Sequence, residues 1–212
     1  MIQLERSQSV PRVVEGAEQR ALGRITAEDV TLAIWHRPST KALARWLDAL
    51  PVDRLPEGRF VGPAACVPAR VSTLCDLVEI EDGPERRDFV AEVARFARAF
   101  ASVTRHPDVD LRLEAVEHDS CWRFHRDNVG YRLNATFRGP GTQWLPSDYA
   151  ERALRSQRRY RGPLNELPRF SAGLFKGVKR AGGKAIVHRS PPVARSGQTR
   201  LFLCLNEVDD DG

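Results

Sequence analysis

The sequence has few cysteines and no long apolar run, and these shortages argue against several classes of protein. The four cysteines are Cys66, Cys75, Cys121 and Cys204, and no two form the C-x-x-C pair of a zinc ribbon. No stretch approaches the 18 apolar residues of a membrane-spanning helix, and the opening MIQLERSQSV lacks the apolar centre of a signal peptide. We therefore expect a cytoplasmic protein with reduced thiols and no membrane partner.

The charge of the chain is only weakly one-sided. Lysine and arginine outnumber aspartate and glutamate by 33 to 28, which gives a net charge of +5 and a pI of about 9.3. This excess suits either an anionic partner or arginines that solvate a surface, and we favour the surface. Nucleic acid is therefore not expected as a partner. We expect a small-molecule or peptide substrate, and the oligomeric state stays open.

The order of the patterns along the chain predicts one globular domain of the α+β class. Residues 1–25 are polar and without period, which predicts a loose N-terminal arm. Residues 26–107 are expected to form a mainly helical flanking region. Residues 108–208 have the alternation of short strands and are expected to form the metal-binding core.

One helix of the flanking region has a clear apolar stripe. It opens at Gly83-Pro84, where proline suits the first turn, and is expected to end near residue 105. Phe89, Phe96 and Phe100 fall on one face with other apolar residues, which predicts packing against the outside of a sheet. The other expected elements here are a buried strand over Val30–Arg37, a helix from the N-cap Ser39 to about Leu50, an irregular proline-rich connection over 51–69, and a helix over 69–79.

Five segments of the core have strand patterns, and one has the pattern of a helix. The strands are expected over 110–118, 131–137, 170–177, 184–190 and 199–208. The helix is expected over 148–159, opened by a capping box of Asp148 and Glu151.

A His-x-Asp motif, His125 and Asp127, is the strongest chemical signal in the chain. In an extended segment residues i and i+2 point to the same face, so one imidazole and one carboxylate are presented together. They supply two of the three ligands of a facial metal triad, and His188 is the candidate third. The alternative is an ordinary hydrogen-bonded pair. A second copy, His106-Pro107-Asp108, is broken by proline and is expected to be a turn.

A triad of two histidines and one carboxylate can hold Fe(II) and leave coordination positions open, although three protein ligands plus water also describe a catalytic zinc site. If the co-substrate of an iron site is 2-oxoglutarate, its far carboxylate needs a cation, and the planar guanidinium of arginine fits a carboxylate best. Arg200 begins a strand on whose opposite face Leu201, Leu203 and Leu205 lie. Arg200 is therefore the candidate anchor.

The segments Gly173–Gly177 and Val187–Ser190, followed by Ser196 and Arg200, resemble the C-terminal half of iron/2-oxoglutarate oxygenases of the phytanoyl-CoA hydroxylase kind. The resemblance is remote and covers about 80 residues. It implies a double-stranded β-helix, which is a jelly roll of the cupin kind. It also implies Fe(II) ligands at His125, Asp127 and His188, co-substrate contacts at Arg200 and Ser190, and a substrate pocket beside Asn134, Thr136 and Trp144. Lys176 departs from the pattern and is expected to compete with Arg200 for the carboxylate of 2-oxoglutarate.

A more specific resemblance is to a bacterial family known only as a domain of unknown function. Its shared segments correspond here to Phe124–Asn128, Gly139–Pro146 and His188–Pro192, and the likeness spans most of the chain. This resemblance implies no assigned activity. It does imply a context of metal supply, because genes of the family lie near GTPases of zinc homeostasis.

The leading hypothesis is a non-haem Fe(II), 2-oxoglutarate-dependent oxygenase whose substrate is unknown. The alternative is a metal-binding protein without redox chemistry, either a hydrolase that uses Zn(II) or an accessory protein of metal homeostasis. A third possibility is a binding module in which the triad is only structural. Whether the protein is an enzyme therefore stays open at this point.

Overall fold

The structure is a computed structural model that describes residues 11–38 and 40–208. The strands of these residues form two β-sheets. The strands in this part of the chain are β1 Arg12–Gly16, β2 Val30–Trp35, β3 Gly58–Pro63, β4 Asp108–Val116, β5 Tyr131–Arg138, β6 Gln143–Trp144, β7 Asn165–Glu166, β8 Ala172–Lys176, β9 His188–Arg189 and β10 Arg200–Asn206. The large sheet has the order β1-β2-β8-β5-β10-β4-β3, and the small sheet has the order β7-β6-β9.

Strand pairing in both sheets is antiparallel except for β1, which pairs parallel to β2. The α-helices are α1 Arg20–Gly23, α2 Lys41–Ala49, α3 Val67–Leu77, α4 Pro84–Thr104, α5 Ser147–Ser156 and α6 Val178–Ala181. A large antiparallel sheet with helices confirms the α+β class. None of the helices in the described ranges is both long enough and apolar enough to span a membrane.

The helices begin and end close to their expected positions, but the first residues of two of them differ from the expectation. Thr40 caps α2, because its Oγ1 accepts a hydrogen bond of 3.2 Å from the backbone nitrogen of Leu43; the expected cap, Ser39, lies outside the described residues. The capping box expected for α5 is wrong. Pro146 occupies the cap position without a side-chain bond, and Glu151 is instead paired with Arg126 at 2.8 Å.

The N-terminal part of the chain requires two corrections. Residues 12–16 belong to the segment expected to be a loose arm, yet they form β1 and cover the outer edge of β2, which is buried along its whole length. Residues 58–63 belong to the connection expected to be irregular, yet they form β3. This strand pairs with β4 on one side only, and an edge strand tolerates the missing N–H of Pro63.

The main core lies between α4 and the large sheet, as the apolar stripe predicts. The ring of Phe137 on β5 lies 5.1 Å from that of Phe89 and 6.0 Å from that of Phe96, and all three side chains are fully buried. Leu201, Leu203 and Leu205 of β10 point into the same core. The side chains on the other face of β10 therefore point away from this core.

That other face of the large sheet packs against the small sheet. Phe175 of β8 belongs to a second apolar cluster with Trp144 of β6 and Ile186, which precedes β9. The two sheets are thus joined by side chains from both. Between them, beside this cluster, the polar side chains of β4, β5 and β10 surround a cavity.

Candidate metal centre

The backbone brings His125 and His188 side by side. Their amide nitrogens each donate to the carbonyl oxygen of the other at 3.0 Å, and this isolated antiparallel bridge extends the pairing of β9. The imidazole centroids are 4.6 Å apart. Together with Asp127, the two histidines present three ligand atoms that all lie within 4.8 Å of one another. The structure therefore gathers the three residues that the sequence singles out.

Asp127 is held by the loop that enters α6. Its carbonyl oxygen accepts a hydrogen bond of 2.8 Å from Val178, and that of Gly130 accepts one of 2.8 Å from Gly177. A Cβ at Gly177 would lie only 2.2 Å from the carbonyl oxygen of Val129, so this close approach of two backbones requires glycine. The position of the carboxylate therefore depends on a residue 50 positions further along the chain.

Hydrogen bonds to the backbone orient both imidazoles. His125 Nδ1 lies 2.8 Å from the carbonyl oxygen of Arg123, and His188 Nδ1 lies 3.3 Å from that of Ile186. A carbonyl oxygen only accepts, so Nδ1 carries the proton in each ring and Nε2 has a lone pair when the ring is neutral. This is the usual arrangement of a histidine that binds a metal through Nε2.

Both Nε2 atoms face the carboxylate of Asp127. The distance is 3.5 Å from His125 to Oδ1 and 3.1 Å from His188 to Oδ2. Neutral nitrogen and carboxylate oxygen would then present lone pairs to each other, and the buried Oδ2 has no hydrogen bond of acceptable geometry in the described structure. The cluster therefore needs a cation at its centre, either a proton on an imidazole or a metal ion.

The charges around Asp127 favour its ionised form. Burial raises the pKa of this carboxyl, but the imidazoles of His125 and His188, when they carry a proton on Nε2, and the charge of Arg132 outweigh burial and lower it. Burial likewise lowers the pKa of His125, but the hydrogen bond to Asp127, the hydrogen bond to the Arg123 carbonyl and the charge of Asp127 together outweigh burial, so the net shift is upward. In the metal-free protein, protons and metal ions therefore compete for this imidazole.

Arg132 is a residue of this site that the sequence analysis missed. Its guanidinium donates to Asp127 Oδ1 and, at 2.7 Å, to the side-chain oxygen of Asn206. The alternation of side chains along a strand could have predicted this residue. Arg132 lies on β5 two residues before Asn134 and therefore points to the same face. Arg132 binds one carboxylate oxygen and leaves Oδ2 available to a metal.

A cavity of about 120 Å³ adjoins the histidines between the two sheets. Side chains of the large sheet supply one wall, and the segment around His125 and His188 supplies the other. Its lining consists of Arg112, Glu114, Val116, Ser120, Cys121, His125, Arg132, Asn134, Thr142, His188, Ser190, Arg200, Phe202 and Cys204.

Arg200 is the most deeply buried cation of this cavity. Only 1% of the residue is exposed, its Nε donates to the carbonyl oxygen of Pro140 at 2.8 Å, and one Nη lies 3.4 Å from Thr136 Oγ1. Across the described residues, no carboxylate oxygen lies within 4.0 Å of its nitrogens. Burial lowers the pKa of Arg200 to about 10. Since buried charges are normally paired, this guanidinium fits an anionic ligand.

Three of the other expected site residues lie at the cavity. Asn134 lines it, and its buried Oδ1 has no hydrogen-bond partner in the described structure. Ser190 lines the opposite wall, where its amide nitrogen donates to the carbonyl oxygen of Cys121 at 3.0 Å. Thr136 lies beside the guanidinium of Arg200.

Lys176 and Trp144 lie elsewhere, which corrects the expectation for both. Phe175 stacks on His188 with ring centroids 4.7 Å apart, so its neighbour Lys176 points to the opposite face of β8. There Lys176 Nζ donates to the carbonyl oxygen of Ala27 at 2.7 Å, and it is not in a position to compete with Arg200. Trp144 is packed in the second apolar cluster and does not line the cavity.

The second His-x-Asp motif forms a turn, as expected. The backbone nitrogen of Asp108 donates to His106 Nδ1 at 3.2 Å, which closes the segment locally. His125, in contrast, is paired through its backbone with His188, which supplies the further histidine of the metal cluster.

Comparisons with known proteins identify a family for the chain. Residues 16–206 match the family described as Protein of unknown function (DUF1826). A search of curated proteins found no match. These 191 residues are most of the chain, so the match concerns the protein as a whole.

Several solved structures match most of this chain at low similarity. AviO1 from Streptomyces viridochromogenes Tue57 has a TM-score of 0.41 and 14% identity, over 92% of this chain and 97% of that one. A prolyl-4-hydroxylase from Pseudomonas putida has a TM-score of 0.44 and 10% identity, over 94% and 98%. The Kdo hydroxylase KdoO, described as a non-heme Fe(II) alphaketoglutarate dependent dioxygenase, has a TM-score of 0.45 and 11% identity, over 92% and 88%. At such low similarity, the activity of this chain has to be inferred from its own residues.

Proposed function

We propose that this chain, which belongs to the DUF1826 family, is a non-haem Fe(II) oxygenase that uses 2-oxoglutarate as its co-substrate. One observation carries the proposal. A cluster of two histidines and one carboxylate, in which Asp127 and His188 are buried and His125 is partly exposed, adjoins the same cavity as a buried arginine without an acidic partner within 4.0 Å in the described structure. A metal ion fits the first feature, and a carboxylate ligand fits the second.

The strand order supports the jelly-roll form of the fold. From β4 onward, successive segments alternate between the sheets: β4 lies in the large sheet, the bridge at His125 in the small, β5 in the large, β6 and β7 in the small, β8 in the large, β9 in the small and β10 in the large. Four segments in each sheet, in this order, are the arrangement expected of a jelly roll of eight strands. The proposed metal site lies where its two sheets meet.

The donor set fits Fe(II). His125 and His188 would bind it through Nε2 and Asp127 through Oδ2, because backbone carbonyls hold both Nδ1 protons and Arg132 holds Oδ1. A facial triad of this kind leaves positions open for a co-substrate and dioxygen, and the bound iron would supply the activation of dioxygen. The chain itself holds the ligands in their orientation and keeps the carboxylate ionised.

Arg200 would bind the distal carboxylate of 2-oxoglutarate. The planar guanidinium has its Nε engaged with Pro140 and directs its remaining nitrogens towards Thr136 and the cavity. Because Arg200 is buried, a charge-assisted pair formed there is stronger than one at the surface. The cost of burying the cation without a partner is offset when the anion arrives.

Anaerobic titration with Fe(II), followed by 2-oxoglutarate, tests the proposal. Wild-type protein is expected to bind one Fe(II) and to develop a weak visible absorption band only when 2-oxoglutarate is added. His125→Ala is expected to lose stoichiometric metal, whereas His118→Ala, at an exposed histidine seven residues earlier, is expected to bind as the wild type does. Equal metal content in both variants would refute the triad.

A second candidate is a metal-binding protein without redox chemistry. The observation in its favour is the donor set itself, since two imidazoles, one carboxylate and an open position also suit Zn(II), which hydrolases and metal-homeostasis proteins use. Stoichiometric binding of Zn(II) or Fe(II) that produces no visible band with 2-oxoglutarate would favour this candidate over the oxygenase.

A further inference from the structure

The cavity contains three guanidinium groups, and the proposed metal and co-substrate sites account for two of them. Arg132 holds Asp127, and Arg200 would hold 2-oxoglutarate. Arg112 lines the same cavity and has no role in either site. A cation at such a cavity fits an anionic group of a further ligand.

Of the three arginines, Arg112 has the guanidinium with the fewest hydrogen-bond partners. Its Nε is buried and has no partner in the described structure, and one Nη reaches only the sulfur of Cys204, a weak acceptor, at 3.9 Å. Its other Nη lies 3.7 Å from Glu114 Oε1, which is too long for a hydrogen bond. The side chain is 38% exposed at the cavity, so a ligand can reach it.

The strand register separates Arg112 from the proposed co-substrate anchor. Cys204 of β10 pairs with Arg112 on β4 and with Asn134 on β5, whereas Arg200 pairs with Val116. Arg112 and Arg200 are therefore four residues apart along the sheet, about 13 Å at the spacing of a strand. The next pair along, Asn206 with Arg132, leads to Asp127. Arg112 thus lies towards the metal end of the cavity, where a substrate must bind.

We propose that Arg112 binds a carboxylate of the substrate and that the substrate is a small monocarboxylic acid. This inference rests on the proposed function, because it takes Arg132 and Arg200 as engaged by the metal site and 2-oxoglutarate. One guanidinium that Glu114 already partly neutralises matches one carboxylate, whereas a phosphate monoester carries nearly two negative charges at neutral pH. Asn134 lies on the other side of Cys204, and its buried Oδ1, which lacks a donor, would accept a hydrogen bond from another group of the substrate.

Glu114 would compete with the substrate for Arg112. Substitution of Arg112 and substitution of Glu114 should therefore change the affinity for a carboxylate in opposite directions. Both side chains are partly exposed and lie on the same face of β4. Arg112→Gln removes the cation and is expected to weaken the binding of a carboxylate at least about tenfold. Glu114→Gln leaves the cation without its acid and is expected to strengthen binding about two- to fivefold, the range of an exposed ion pair.

The experiment uses anaerobic protein loaded with Fe(II) and 2-oxoglutarate, titrated by calorimetry with carboxylates and their matched amides. The probe pairs are benzoate with benzamide, phenylacetate with phenylacetamide, and hexanoate with hexanamide, and phenyl phosphate serves as the dianion. We expect at least one carboxylate to bind at least about tenfold more tightly than its amide. This preference should be lost in Arg112→Gln and retained in Arg112→Lys and in the exposed control Arg98→Gln.

Several results would overturn the inference. They are equal affinity for carboxylates and amides, an unchanged preference in Arg112→Gln, tighter binding of phenyl phosphate, and no binding of any probe at about 10 mM. The visible band formed with 2-oxoglutarate separates the two proposals. A normal band without a carboxylate preference refutes the Arg112 site alone, whereas a missing wild-type band refutes the oxygenase and, with it, the premise of the Arg112 site.

Discussion

Arg200→Met is expected to stabilise the ligand-free protein while it abolishes the response to 2-oxoglutarate. Burial lowers the pKa of Arg200 from the ordinary value of arginine to about 10, and each pKa unit is equivalent to about 1.4 kcal/mol. The pKa of a base is lower in the folded state than in the unfolded state, so at all pH values below about 10 the charged side chain opposes folding, by about 3 kcal/mol. Methionine is similarly long and flexible and has no charge.

Two hydrogen bonds are lost in this variant, and each contributes about 1 kcal/mol. The expected net gain in the free energy of unfolding is therefore about 1 kcal/mol. Urea denaturation of metal-free protein measures it, with a higher midpoint and an unchanged slope as the expected result. Arg98→Met on α4, at an exposed position, is the control and should change stability by less than about 0.5 kcal/mol.

The ligand part of the prediction uses the same transition. With metal present and 2-oxoglutarate at about 100 times its dissociation constant, wild-type protein should gain about 2.7 kcal/mol, and Arg200→Met at the same concentration should gain nearly nothing. A ligand-free variant that loses more than about 1 kcal/mol would show that Arg200 is a structural residue. Equal stabilisation of both proteins by 2-oxoglutarate would refute its role as the anchor.

Three further predictions concern the core, the support of the site and its protonation. Phe137→Ala should lower the free energy of unfolding by about 3–5 kcal/mol in urea titrations, whereas Leu77→Ala, at a residue that is 73% exposed, should change it by less than about 0.5 kcal/mol; similar losses would contradict the assignment of the core. Gly177→Ala should weaken metal binding at least about tenfold in competition with a chromophoric chelator, and Gly183→Ala, whose Cβ would meet nothing within 4 Å, should not. Because the pKa of His125 is raised above its ordinary 6.5, metal affinity should fall about tenfold for each pH unit below that raised pKa, and an affinity that stays constant down to about pH 5 would count against His125 as a ligand.

Local periodicity made much of the fold predictable. The stripe on α4 and the alternation along β10 depend only on spacing within one element, and both point the expected residues into the core. The antiparallel bridge between His125 and His188 was not predictable in this way. Their proximity was inferred because a metal triad needs a third ligand, and the structure supplies the backbone pairing that the inference lacked.

The errors arise where an element has no readable pattern. All five residues of β8 are buried, so its sequence does not indicate which face looks into the cavity, and Lys176 was assigned to the wrong one. Strands β6 and β7 have two residues each, which is too short for alternation to show. Arg112 and Arg132 were missed for a different reason. Their faces were predictable, but the ion pair of Arg132 with Asp127 and the unsatisfied Nε of Arg112 became visible only in three dimensions.

The backbone bridge between His125 and His188 has a consequence for the unfolding of the chain. The two histidines are 63 positions apart in sequence, so an ion held by both would act as a cross-link around everything from β5 to β8. In the chain-entropy treatment a covalent link over such a loop restricts the unfolded chain by about 4 kcal/mol. The segment inside the loop would then resist proteolysis and hydrogen exchange more strongly than β1–β3, which lie outside it. Metal occupancy in a cell would thereby determine the lifetime of the protein as well as its activity.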